Sequence, residues 1–277
     1  MSSCRRFLTC LAAGGLFLLL VGQAACGRDG RALEETRIDI ARRAFLNGEY
    51  LRAEGVYERY LETQPDGPYR LEAWVRLADI SQYARETPAR TATVLEAALL
   101  EFGENPATGP ALRLRAARQR QQLGEYDKAA AHYKQLLAIP GLPPERVADI
   151  HIEFAEALMQ AHDPMRAVGT LRTCGADLPA GDPHARCSLA LAKVYLRLER
   201  PVQAEPLLRA LYLHQDVPED IRAQAGFALA TWLEAGQDKE QARTIYESLR
   251  RTYPNPLVIE EKLRYLQKTD GNTGASP

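Results

Sequence analysis

The sequence predicts an all-α protein, a linear array of about six helical hairpins closed by one further helix. Three observations predict it. A short motif recurs as Gly48-Glu49-Tyr50-x-x-Ala53-x-x-x-Tyr57 and as Gly124-Glu125-Tyr126-x-x-Ala129-x-x-x-Tyr133, with a degenerate copy ending in Ala242-x-x-x-Tyr246. Small or short residues mark every step between the copies: Ala53, Thr91, Ala129, Ala167, Ala204 and Ala242 follow one another at 38, 38, 38, 37 and 38 residues. No segment sustains the apolar–polar alternation of a strand. A fixed period of this size means supersecondary units that bury a core only by stacking on their neighbours.

Each unit reads as two helices. Ile38, Ala41, Ala44 and Phe45 recur at helical spacing ahead of the first motif, and Leu112, Ala116 and Arg120, flanked by Leu123, do so ahead of the second. Gly48 and Gly124 then stand where a helix takes a left-handed C-terminal cap. The second helix carries Ala53, Val56, Tyr57, Tyr60 and Leu61, and prolines such as Pro65, Pro140 and Pro254 stop it. Alanine is required at the 53-type position because two closely crossing helices leave no room for more, and the tyrosine four residues on fills the gap to the next unit. At the end of the array, Leu257, Ile259, Leu263 and Leu266 oppose Glu260, Glu261, Lys262 and Arg264. That pattern predicts a capping helix over 257–268, followed by a disordered tail over 269–277.

This pattern resembles the tetratricopeptide repeat. Ala41, Ala44, Gly48, Tyr50, Ala53, Tyr57, Leu61 and Pro65 carry the resemblance in the first unit, and Ala117, Gly124, Tyr126, Ala129, Tyr133 and Leu137 carry it in the third. Leu229, Ala230, Ala242, Tyr246 and Pro254 carry it in the sixth. The second unit shows Trp74, Leu77, Ala78 and Leu95, the fourth Ala155, Leu158, Ala167 and Leu171, the fifth Ala192, Tyr195, Ala204 and Leu208. The resemblance implies a right-handed α-α superhelical solenoid over 34–256. The distance from Ala117 to Ala129 is the usual twelve, so the extra residues of each period fall in loops such as 140–144.

The N-terminus carries a different message. Arg5-Arg6 precedes an apolar run of fifteen positions, Phe7 to Val21, then Gly22-Gln23-Ala24-Ala25-Cys26. The run is short for a bilayer span, and its basic start and small-residue end read as a secretory signal over 1–25. A cysteine after Ala24-Ala25 resembles the cleavage box of bacterial lipoproteins, with Gln23 where that family prefers leucine. The resemblance implies an acylated (palmitate-bearing) Cys26, a tether over 26–33, and an outer-membrane anchor facing the periplasm, since Gly27 rather than Asp follows Cys26. The other reading is ordinary cleavage near Ala24 or Ala25, a soluble periplasmic protein and a free Cys26 thiol. Arg5-Arg6-Phe7-Leu8 resembles a twin-arginine signal with imperfect spacing, and the general secretory route is preferred.

Removing residues 1–25 leaves 33 basic and 36 acidic side chains, a charge near −3. That excludes a strong global attraction to nucleic acid. Of five cysteines, Cys174 and Cys187 remain besides Cys26 after export. In an oxidising compartment they are expected to form a disulfide, two free buried thiols being the alternative. Adding Asp182 and His184 makes no defensible zinc spacing. No nucleophile elbow, metalloprotease helix, phosphate loop or dinucleotide fingerprint is present, so no cofactor and no enzyme activity are expected. His132, His151, His162, His184 and His214 fall at scattered unit positions, with His132 and His214 expected in solvent. Arg113, Arg115, Arg118 and Arg120 read as a wet helix face.

The family resemblance implies a groove along the first helices that binds protein or peptide segments. Transferring its groove positions selects Arg42, Phe45, Arg76, Tyr83, Arg118, Glu156, Met159, Arg186, Lys193 and Arg197. The bases among them outnumber Glu35, Asp149, Glu156 and Glu234 by two, so the expected ligand is an acidic-leaning segment with apolar anchors. The expected function is a scaffold in assembly of a cell-envelope complex (outer membrane, pilus or polysaccharide export), tied to the membrane by its lipid alone. The alternative is a small-molecule or lipid-binding accessory lipoprotein of a transporter.

Overall fold

The computed structural model describes residues 37–236 and 238–273, with side chains through Lys268. The signal segment, Cys26, the tether, Glu35 and the last four residues lie outside the described residues. Among the described residues there are helices and no strand. A helix over 37–46 (α1) is followed by α2 (Tyr50–Thr63), then by α3 (Arg70–Asp79), which continues into a π-helical turn, Ile80–Ala84, and by α4 (Pro88–Phe102). Next come α5 (Gly109–Gln122), α6 (Tyr126–Leu137), α7 (Pro144–Gln160) and α8 (Pro164–Asp177). The chain ends with α9 (Asp182–Arg197), α10 (Pro201–Leu213), α11 (Glu219–Ala235), α12 (Lys239–Leu249) and α13 (Pro256–Thr273). These are six hairpins and a closing helix. The chain divides into two compact units, 1–112 and 113–277.

The tight turns inside four of the hairpins share one device. Gly48 and Gly124 adopt φ of 77° and 73°. The next amide then reaches back five residues, Glu49 N–H to the Ala44 carbonyl at 2.8 Å and Glu125 N–H to the Arg120 carbonyl at 2.9 Å. Two other hairpins use it without glycine: His162 and Glu199 hold φ of 57° and 55°, and Asp163 and Arg200 donate the equivalent bonds at 2.9 Å. Glu86 sits at φ 49° in the corresponding turn after the π-helical segment. The backbone geometry is thus imposed by packing of the two helices, which overrides the left-handed penalty of a non-glycine residue.

Ala53, Thr91, Ala129, Ala167, Ala204 and Ala242 are all fully buried, as the crossing of paired helices requires. Thr91 fits because its hydroxyl donates to the Thr87 carbonyl at 3.1 Å. The positions four residues on are Tyr57, Leu95, Tyr133, Leu171, Leu208 and Tyr246, each at most 1% exposed. The longest loop of unit 2 inside the array, between Leu137 and Pro144, absorbs the residues beyond the usual repeat length.

Several expectations are corrected. α13 runs to Thr273, five residues past the expected end at Lys268, because no proline interrupts it; only 274–277 of the expected tail lie outside the described residues. Ile259, Leu263 and Leu266 are buried as its inner stripe, whereas Leu257 is 73% exposed. Two residues ahead of Ile259, it falls on the opposite side of a 3.6-residue helix. His132 is buried on α6, at 9% exposure, because it flanks the core residue Tyr133 where α6 packs on α7. The arginine run on α5 is not a uniform wet face: Arg118 is exposed, while Arg113, Arg115 and Arg120 are half-buried. Arg113 donates to Gln135, and Arg120 pairs with Glu125 at 2.5 Å.

Cys174, on α8, and Cys187, on α9, are joined in a disulfide with Cα atoms 6.0 Å apart. Both are fully buried against Ala148 and Leu178. No helix among the described residues is long and apolar enough to cross a membrane.

Candidate functional site: the first-helix face

In unit 2 the first helices of three successive hairpins, α7, α9 and α11, together with Leu171 of α8, frame a depression of about 550 Å³. Its apolar floor includes Ile152 and Ala155 of α7, Leu189, Ala190 and Val194 of α9, and Ile221 of α11. Its charged walls are Glu156, Asp182, Arg186, Lys193, Arg197 and Asp220. Amphipathic helices produce this arrangement. One flank of each first helix packs against the second helices of the core, and the next flank turns to the depression.

Four residues selected from sequence come together here: Glu156, Arg186, Lys193 and Arg197. Arg186 donates to Asp149, and Arg197 approaches Glu156 at 3.5 Å. Residue numbers rise together across these two pairs, so α7 and α9 run parallel. Lys193 donates to the neutral Gln224 of α11 at 2.9 Å. Protein crowded around that ammonium pushes its pKa below the ordinary lysine range, although the side chain still reaches solvent. Met159 does not join the depression; it packs half-buried against the core.

Arg118 stands nearer the start of unit 2, where its Nε and Nη2 donate to the Glu153 carboxylate, at 2.8 and 2.6 Å. That hydrogen-bonded pair raises its pKa further. Tyr133, packed beside it, donates to Gln121 at 3.1 Å and Glu153 at 3.4 Å. Burial pushes the Tyr133 phenol above its ordinary value, and the Glu153 charge adds to the shift.

The corresponding face of unit 1 holds Arg42, Phe45 and Arg76. Arg42 grips Glu72 through two bonds of 2.8 and 2.6 Å, tying α1 to α3, and lies 5.0 Å from the Tyr69 ring centre. Arg76 stacks over Phe45 at 4.7 Å and pairs with Asp79 at 3.4 Å. Tyr83 is 73% exposed on the π-helical turn. Beneath this cluster the hydroxyl of fully buried Tyr57 has no hydrogen-bond partner. Burial, with the Glu72 carboxylate next in weight, pushes this phenol up to about 12.

Within the depression of unit 2 there is no surplus of positive charge. The depression in unit 2 is lined by three bases and three acids, since Asp182 and Asp220, at the starts of α9 and α11, face it as well. Family groove positions lie further along the helices and do not sample those first-turn residues. Glu234, counted among the groove acids, instead accepts from Tyr246 at 2.9 Å and from Lys262 of the closing helix at 3.0 Å.

Unit 2 has a second cavity, of about 470 Å³, where the start of α9 meets the end of α10. Leu207, Leu211, Ala185 and Val217 form much of its wall, and His184, His214, Ser188 and Asp216 supply its polar groups. Sequence reasoning missed this cavity because its two histidines are 30 residues apart and belong to no motif.

These features define the class as helical-hairpin repeat proteins. Residues 112–147 and 224–256 each match a family model described as the tetratricopeptide repeat. No curated protein matches the chain. Among solved structures, BtubC (BKLC) from P. vanneervenii is similar at 21% identity, covering 80% of this chain and 94% of its own, with a TM-score of 0.50. A putative kinesin light chain of Podosopora anserina with TPR-like repeats is 21% identical over 78% of this chain and 96% of its own, at a TM-score of 0.48. At such identities the likeness is one of fold.

Proposed function

We propose that this chain is a non-catalytic, periplasm-facing lipoprotein that holds protein segments on its first-helix face during assembly of a cell-envelope complex. The observation that carries the reading is the charge-rimmed apolar depression across α7, α9 and α11. It offers a partner apolar anchorage with polar groups to fix its register, the usual composition of a recognition surface. Tetratricopeptide repeats generally bind protein or peptide partners, which supports the same conclusion. The signal-like segment ending at Cys26 and the joined Cys174–Cys187 pair both suit an exported protein.

Covalent crosslinking from the depression, followed by purification from detergent-solubilised envelope and mass spectrometry, tests the scaffold. One set of envelope proteins should be captured from Lys193, and capture should fall when Leu189 is replaced by Asp in a protein that still folds. Capture unaffected by Leu189→Asp argues against this face. For the anchor, Cys26→Ser should release the protein from membranes or leave the signal uncleaved. Membrane retention with normal processing would refute lipidation.

The apolar cavity beside His184 and His214 favours a second reading, a small-molecule or lipid-binding accessory of a transporter. A bound amphiphile recovered with the purified protein, and no partner crosslinked at Lys193, would decide for it.

A further inference from the structure

The turn of the first hairpin carries large apolar side chains that the packing of unit 1 leaves in water. Leu46, at the end of α1, is 81% exposed, and Leu51, in the first turn of α2, is 72% exposed. Tyr50 opens α2 at 40% exposure and stands edge-on to Phe45, with ring centres 5.7 Å apart. Other copies of the repeat serve as a control. At the same three positions the third hairpin has Gln122, Tyr126 and Asp127, and the sixth has Ala235, Lys239 and Glu240. The turn itself therefore needs no large apolar residue at 46 or 51. α1 and α3 run parallel, since Arg42 bonds Glu72 and Phe45 lies under Arg76. Tyr83, 73% exposed at the end of that next first helix, thus belongs to the same edge of unit 1. Around Leu46 and Leu51 the charges are mild: Glu49 pairs with Arg52 at 2.8 Å, and Arg43 adds an exposed base.

The length of chain ahead of this turn says what it meets. Cys26 lies eleven residues before Arg37, where α1 begins, a span of at most about 38 Å. Leu46 is nine residues further on, about 14 Å along α1. A lipid on Cys26 therefore keeps the first hairpin within reach of the bilayer that holds the lipid. We infer that the turn of the first hairpin rests on that bilayer, with Leu46, Tyr50 and Leu51 entering the headgroup boundary. The inference rests on the reading of Cys26 as the anchor and sets which edge of unit 1 faces the membrane. Leucines at this boundary remove apolar area from water, and a tyrosine suits it because its ring is apolar and its hydroxyl stays wet. Arg43 and Arg52 would meet anionic headgroups. An anchor alone leaves a protein free to turn on its tether. A second, weak contact at high effective concentration fixes one orientation.

The test places one fluorescent label on the full chain purified from membranes and reconstituted into vesicles of phosphatidylethanolamine and phosphatidylglycerol. Leu51→Cys puts the label at the turn. Leu100→Cys puts it on an equally apolar, 90% exposed position toward the opposite end of α4, in the same unit. Cys174 and Cys187 are joined, so they do not compete for the label. Lipids brominated on their acyl chains should quench the label at 51 by about half and leave the label at 100 bright, because only a side chain at the headgroup boundary approaches the bromines. Adding Leu46→Ser and Tyr50→Ser to the labelled Leu51→Cys protein should abolish most of the quenching while the protein still floats with the vesicles. Both replaced side chains are exposed, and an unchanged helical circular dichroism spectrum checks the fold. A bright label at 51 on protein that floats would overturn the inference and leave the anchor standing. In that case a crosslink from position 51 to a second copy or to another protein would assign the patch to it. Equal quenching at 51 and 100 would overturn the choice of edge. Protein that does not float with vesicles at all would overturn both the anchor and the inference.

Discussion

Tyr57 in unit 1 and Tyr133 and Tyr246 in unit 2 occupy the same repeat position, and all three are fully buried. Only the two in unit 2 place their hydroxyls on partners, Tyr133 on Gln121 and Glu153, Tyr246 on Glu234. Tyr57 lies near Glu72, but Arg42 already claims that carboxylate. One residue type therefore does two jobs: a space-filler under an ion pair in unit 1, and a linchpin between ring and carboxylate in unit 2. The contrast extends further. Among the described contacts, unit 1 is cross-tied by charge pairs whose arginines stay part-exposed, including Arg42–Glu72 and Arg85 and Arg90 on the nearly buried Glu54. Unit 2 has comparable pairs, such as Arg118–Glu153 and Arg186–Asp149, and adds the disulfide beside its long apolar core spanning Leu114 to Leu266. Sequence similarity between repeats fixes which positions are buried, and the side chains around each copy decide what its polar atoms do.

The largest expected effect breaks unit 2 alone. Replacing Cys174 and Cys187 by alanine reopens a short loop and should cost about 3 kcal/mol in the chain-entropy account. Hydrogen exchange should rise in α8 and α9 and stay unchanged in α1 to α3. Equal loss of protection in both units would break the comparison.

Unit 1 has its own sensitive point. The Glu54 carboxylate is 10% exposed, within 2.6 Å of Arg90 and 3.2 Å of Arg85. Glu54→Gln should lower stability by about 1 kcal/mol, a modest figure because both arginines stay half-exposed and rehydrate. The loss should shrink in high salt. A salt-independent loss would assign Glu54 to packing instead of charge.

The tyrosines sharpen the contrast further. Tyr133→Phe and Tyr246→Phe should each cost about 1 kcal/mol, since each removes a hydrogen bond to a carboxylate that keeps only its Arg118 or Lys262 donor. Tyr57→Phe should be neutral or slightly stabilising, because its buried hydroxyl has no partner to lose. Thermal melts of the three variants under one set of conditions check this ordering, and a costly Tyr57→Phe would mean that its hydroxyl serves a ligand or water.

A smaller effect has the opposite sign. Glu86→Gly in unit 1, and His162→Gly or Glu199→Gly in unit 2, relieve left-handed backbone and should gain up to about 1 kcal/mol each, less the added freedom of the unfolded glycine. A loss at His162 or Glu199 would show that those side chains make contacts worth more than the strain.

The last effect is confined to mildly acidic solution. Burial holds His151 on α7 below the ordinary histidine pKa, with Asp177 opposing the shift more weakly. A base with a depressed folded pKa leaves stability intact above its unfolded value and lowers it as pH falls from there toward the folded value. Unit 2 should therefore loosen below the ordinary histidine range, and His151→Asn should flatten that dependence in a pH series of melts.

The sequence by itself determined the array. The 37- or 38-residue spacing of Ala53, Thr91, Ala129, Ala167, Ala204 and Ala242, and the glycines at 48 and 124, state how close two helices come and where the chain reverses. Those are local constraints, and backbone sterics enforces them wherever they occur. The groove positions implied by the repeat resemblance also marked Glu156, Arg186, Lys193 and Arg197. Only the tertiary structure decided that Met159 turns to the core, that His132 is covered, and that Asp182 and Asp220 join the recognition face. It also decided that Glu234 serves the closing helix, and that His184 and His214 share a cavity. Each depends on the offset between neighbouring helices, where a shift of one turn changes which charges meet. Packing of residues about 30 to 40 apart sets that offset, and no motif in the chain records it.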